Sequence, residues 1–147
     1  MTRIDFYILD DQARDASLRF ACRLGLKAWL AGNAVHLHVD DAEAATELDE
    51  LMWDYPRHRF LPHEVIQPGQ TSHNSPIHIG FSSPQLTEGL LINLSAEVPG
   101  FFGRFDRVAE IVVGDSRETG RTRYSHYRDR GYPLHHHELK NWESGHA

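Results

Sequence analysis

The first forty residues constrain the fold most, because the hydrophobic period changes from two to 3.6 and back. Arg3-Ile4-Asp5-Phe6-Tyr7-Ile8-Leu9 is rich in β-formers and ends in Asp10-Asp11, which predicts a strand. From Gln12 to Leu30, Ala16, Phe20, Leu24 and Ala28 form one helical stripe, with Leu18, Cys22, Leu26 and Trp29 beside it. A stripe that wide belongs to a helix lying on a sheet. Gly32 ends it, and Ala34-Val35-His36-Leu37-His38-Val39 alternates as a second strand.

The pattern then repeats. Asp40 with Glu43 three residues on reads as a capping box, and Ala44, Ala45, Leu48, Leu51 and Met52 give the helix an inner face that Pro56 stops. Short apolar runs follow around Arg59–Leu61, Ile77–Phe81 and Leu90–Leu94, and a helical turn or two is expected within Pro99–Phe105. Val108–Val113 predicts another strand, Ser116 to Arg130 a polar helix closed by Gly131, and the chain from Tyr132 an edge strand. Gln67–Pro76 is the expected flexible loop. Strand, helix, strand, helix and further strands predict a single α/β layered domain with a mostly parallel sheet flanked by helices, over residues 1–140. Residues 141–147 are expected to be a short flexible tail.

The chain of 147 residues has room for one core. Its net charge of −6 opposes broad binding to a phosphate backbone. Cys22 is the lone cysteine, so no internal disulfide can form, and its place in the stripe predicts burial. Neither a leader nor an apolar run of membrane-spanning length is evident, so a cytoplasmic protein with no membrane contact is expected.

The usual chemistries of an α/β sheet are missing. After the first strand stands Asp10-Asp11-Gln12 rather than G-x-G-x-x-G, and neither G-x-x-x-x-G-K-[ST] nor G-x-S-x-G occurs. The strand pairs His36/His38 and His135/His137 each share a face, as metal ligands would, but no Cys or H-E-x-x-H accompanies them. The expectation is no metal and no cofactor. The rival enzyme reading is a small metal- or phosphate-handling hydrolase using Asp10, Asp11 and the histidine pairs.

One segment departs from the acidic background. The helix from Ser116 to Arg130 carries Arg117, Arg121, Arg123, Arg128 and Arg130 against Glu118 and Asp129, a net of +3 that leaves −9 elsewhere. Arg117, Arg121, Tyr124 and Arg128 fall at i, i+4, i+7 and i+11, one helical face. Guanidinium forks around a tyrosine suit an acidic peptide with an aromatic or a terminal carboxylate. A solvated surface helix is the bland alternative, and a direct DNA-binding module fits less well, since the footprint is small. Trp53-Asp54-Tyr55-Pro56 with Phe60, Leu61 and Pro62 offers a second surface; spacing alone favours core closure over an exposed anchor.

Taken together, Asp5-Phe6-Tyr7-Ile8-Leu9-Asp10, Leu48-Asp49-Glu50-Leu51-Met52-Trp53 and Pro56, Phe60, Leu61, Pro62 and His63 resemble the chi subunit family of the bacterial DNA polymerase III clamp-loader assembly. Arg121-Thr122-Arg123-Tyr124-Ser125-His126-Tyr127-Arg128 with Gly131-Tyr132 is similar to that family's basic C-terminal helix. The resemblance runs to about Leu139, and it implies a non-catalytic Rossmann-like adaptor in DNA replication. By position it gives Arg117, Arg121, Arg123, Tyr124 and Arg128 the acidic C-terminal tail of single-stranded DNA-binding protein. Trp53, Pro56 and Phe60 receive the psi subunit of the clamp loader, or a repair helicase. Ser125 stands where the family carries a lysine, and the run His135-His136-His137 has no counterpart in it.

Overall fold

The computed structural model describes residues 1–71, 73–85 and 88–143. Seven strands form one sheet in the order β3-β4-β2-β5-β6-β1-β7, and every pairing is parallel. The strands are β1 (Arg3–Leu9), β2 (Val35–His38), β3 (His63–Ile66), β4 (Ile77–Gly80), β5 (Leu90–Asn93), β6 (Arg107–Val112) and β7 (Leu134–Leu139). The helices are α1 (Arg14–Leu30), α2 (Ala42–Asp54) and α3 (Arg117–Asp129). A parallel sheet must be covered on both faces, and this one divides its residues accordingly.

One face carries Leu9, Val35, Leu37, Ile77, Ile79, Ile92 and Ile111, packed against Ala16, Phe20, Ala21 and Cys22 of α1 and Leu48 and Met52 of α2. Cys22 is fully buried there, and burial pushes its thiol up to about 12, which keeps it unreactive. The other face carries Ile4, Phe6, Leu91, Val108 and Val112 against Tyr127 of α3 and against Phe102 and Phe105 around a single 3-10 turn.

Three local expectations shift. The cap of α2 is Asp41, whose side chain accepts from the Ala44 N–H at 2.8 Å, because Asp40 is occupied with the Ala96 N–H at 3.1 Å. The strand expected around Arg59–Leu61 lies instead at His63–Ile66, an edge strand with two half-exposed residues that breaks the apolar pattern. The described start of the expected loose tail is tied down. Trp142 donates its Nε1 to Asp11 Oδ1 at 2.8 Å and sets its ring edge-on to Phe20 at 5.2 Å, while Glu143 accepts from Arg19 and from the Tyr55 hydroxyl. Residues 144–147 lie outside the described ones.

Candidate partner-binding surfaces

Helix α3 crosses from β6 to the edge strand β7, and its approach to the sheet is close. A Cβ at Gly120 would meet Val112 Cγ2 at 2.9 Å, so only glycine admits this distance without a shift. One turn later the helix is clamped by a buried polar network. Glu110, on β6, is fully buried and accepts from Arg123 Nε at 2.8 Å, Tyr127 Oη at 2.6 Å and Asn93 Nδ2 at 2.9 Å. Burial pushes the Glu110 carboxyl above the usual carboxylate range, opposed by the Arg123 charge and the three donors. Burial likewise drives the Tyr127 phenol far above its ordinary value, so it stays a donor.

This network corrects one expected contact. Arg123 is 6% exposed and points inward, its guanidinium also reaching the Ala96 carbonyl at 3.3 Å. Two residues along a helix turn the side chain about 200°, so Arg123 sits opposite Arg121. It holds the helix and offers nothing to a partner. The remaining row faces outward. Arg117, Arg121 and Arg128 are exposed, and Tyr124 is half-buried between them with its ring 5.4 Å from Phe6 and 5.2 Å from His136 of β7. Arg128 makes only a surface pair with Asp129 at 3.3 Å, and Arg117 and Arg121 have no ion pair among the described residues. Pinned by its inner face, α3 therefore displays a guanidinium row with an aromatic wall.

The second surface is open. Trp53 is 61% and Phe60 66% exposed, so the core-closure reading from spacing is overturned for both, while Pro56 is buried. The two rings lie 6.4 Å apart, and Trp53 rests 4.7 Å from the ring of His63, whose Nε2 is 3.0 Å from Asp49 Oδ1. Close by, Pro56 lines a shallow groove with Leu26, Leu30, Lys27 and Arg59, and Leu30 is itself 59% exposed. Large exposed apolar groups gathered at the ends of α1 and α2 have the make-up of an interface anchor.

The residues of the hydrolase reading are not brought together. Asp10 and Asp11 follow β1, and Asp11 is engaged by Trp142. His36 and His38 lie on β2, with β5 and β6 between that strand and β1. His137 stacks on Tyr7 and pairs with Asp5 at 2.8 Å, while His135 is exposed. A further cavity of about 510 Å³, lined by Tyr7, Phe20, Leu24, Lys27 and Arg107 among others, went unread because several separate elements build it.

Comparison with known proteins gives one consistent result. A family model described as "DNA polymerase III chi subunit, HolC" matches residues 1–135. A Pseudomonas aeruginosa protein named DNA polymerase III subunit chi is 39% identical over 142 residues, covering 95% of this chain and 98% of that one. Proteins of the same name from Haemophilus influenzae and Escherichia coli are 29% and 26% identical over 133 and 142 residues, covering 88% and 91% of this chain and 92% and 96% of theirs.

Proposed function

The chain belongs to the family of the DNA polymerase III chi subunit, and from that premise we propose that it is a non-catalytic adaptor linking the clamp loader to single-stranded DNA-binding protein. One observation supports the reading above others. The exposed arginines of α3 form the basic pole of an otherwise acidic chain, and Tyr124 stands among them on a helix that cannot rotate. Arg117, Arg121 and Arg128 supply forks for carboxylates, and Tyr124 supplies the apolar wall against which a terminal aromatic packs. The proposed ligand is the acidic C-terminal tail of single-stranded DNA-binding protein.

Trp53 and Phe60 are proposed as the docking anchor for a second partner, the psi subunit or a repair helicase, with the buried Pro56 shaping the chain between them. The tail site and this anchor rest on different elements, α3 and the end of α2, so both partners can be held at once. No nucleotide cradle supports an enzyme, and the acidic background argues against strong direct nucleic-acid binding. No described helix is long and apolar enough to cross a membrane.

The test is a titration of the purified chain with an acidic peptide that ends in Phe and a free carboxylate. Saturable one-to-one binding, weakened when the carboxylate is amidated, is the expected result. No binding, or equal binding of the amidated peptide, overturns the tail assignment.

A further inference from the structure

The α3 face of the sheet is only half covered by its helix, and the other half has a different chemistry. Across β3, β4 and β2, Glu64 is in register with His78 and His78 with His36, so the three side chains stand in a row on that face. A fully covered parallel sheet would place Val, Ile or Leu there. From the loop between β3 and β4, His73 lays its ring 4.5 Å from that of His78. Glu64, His73 and His78 each bring a ligand atom within 4.8 Å of the others.

The donors are prepared rather than spent. Both ring nitrogens of His73 are buried without a hydrogen-bond partner among the described residues, and so are both of His36, which is only 3% exposed. Buried polar atoms left unpaired cost free energy, so a row of them asks for a ligand. Glu64 Oε1 takes the backbone N–H groups of Asn74 and Ser75, which fixes the carboxylate while its second oxygen accepts no hydrogen bond among the described residues. His78 Nε2 lies 2.7 Å from the Ser75 carbonyl; as its donor, it leaves Nδ1 with the lone pair, the orientation that metal-ligating histidines commonly show. Room is kept as well: a Cβ at Gly80 would come within 2.9 Å of His36 Cε1.

We propose that Glu64, His73 and His78 form a binding site for a divalent transition-metal ion, zinc by its donor set, which ties His73 to β3 and β4 on the helix-free half of the sheet. Two imidazoles and a carboxylate are a zinc set that leaves one position open, and His36 is the register neighbour on that side. Ligands on one zinc ion stand about 3.3 Å apart at bond lengths of about 2.0–2.1 Å. Ligand atoms that already lie within 4.8 Å of one another need only a small adjustment to reach that spacing. The site shares no residue with α3 or with the Trp53 anchor, so neither partner is needed for it.

The experiment is calorimetric titration of Zn²⁺ into tag-free protein stripped with chelator, with melting temperature read in parallel. One ion per chain and a raised melting temperature are expected. His73→Ala, at a half-buried loop position, and Glu64→Gln should each weaken binding by about tenfold or more. His135→Ala, on the far edge strand, should leave it unchanged. Because His73→Ala alters no strand, its folded state without metal is checked by circular dichroism, and Glu64→Gln repeats the test independently. No saturable zinc binding, or binding that both variants leave intact, overturns the proposal.

Discussion

Arg123 donates its Nε to Glu110 Oε1 at 2.8 Å with both side chains buried, and this pair decides which side of α3 faces solvent. Ser116 to Arg130 includes five arginines, yet one of them is a structural part and the other four are exposed. The division gives opposite expectations for substitutions only two residues apart.

Arg123→Ala leaves the Glu110 carboxylate buried with one donor fewer. Removing one member of a buried pair typically costs about 3–5 kcal/mol. The expected outcome is a large fall in the urea midpoint, with tail binding lost only as the fold is lost. A variant of wild-type stability would show that the pair does not hold the helix.

Much of this architecture was legible because it follows simple periods. The strand Arg3–Leu9 was read at its observed bounds, and the two adjoining stripes of α1 together predicted its inner face, where Ala16, Phe20, Leu18, Cys22 and Leu26 are buried and Leu24, Ala28 and Trp29 are partly so. β3 was missed because an edge strand half open to solvent, His63-Glu64-Val65-Ile66, need not alternate cleanly. Arg123 was placed at the tail site through the family resemblance, although it lies off the helical face that Arg117, Arg121, Tyr124 and Arg128 share. Glu110 was the available signal: a lone acid inside the buried run Val108–Val113 demands a cationic partner, and α3 follows directly. His73, His78 and Glu64 escaped notice because their nearness is a matter of strand register and a loop, neither of which spacing reveals.

Trp53 and Phe60 test the second surface. Both are mostly exposed, so Trp53→Ala and Phe60→Ala should change stability by less than about 1 kcal/mol. If they anchor the psi subunit or a helicase, each should lose about 2 kcal/mol or more of binding in a pull-down calibrated by titration. A strongly lowered melting temperature with partner affinity intact would restore the core-closure reading.

Asp5 makes the acid limb of stability predictable. It is buried on β1 and accepts from His137 Nε2 at 2.8 Å, Arg107 Nη2 at 3.0 Å and Arg3 Nε at 3.2 Å. Burial alone would raise its carboxyl, but these partners together outweigh that and hold it below the usual carboxylate range. The folded state then binds its proton later than the unfolded chain does. The stabilisation is therefore fully present above about pH 4, the unfolded value, and is lost as pH falls through the folded one. Asp5→Asn should lower stability at pH 7 and flatten the loss below pH 4, measured as urea midpoints across the range. Parallel curves for variant and wild type would refute it.

The last prediction concerns Arg121, which is exposed and carries no ion pair among the described residues. Charge reversal to Glu places a carboxylate in the middle of the row, between Arg117 and Tyr124, where an acidic tail must approach. Arg121→Glu should abolish tail binding while moving stability by no more than about 0.5 kcal/mol, as exposed substitutions do. Because its guanidinium is open to water, the wild-type affinity should weaken steeply as salt rises past 0.1 M, where charges are screened over about 10 Å. Arg128→Glu should act the same way, less cleanly, since it also places two acids beside each other at Asp129. Equal tail affinity in Arg121→Glu and wild type, or a titration indifferent to salt, would remove α3 from the tail site.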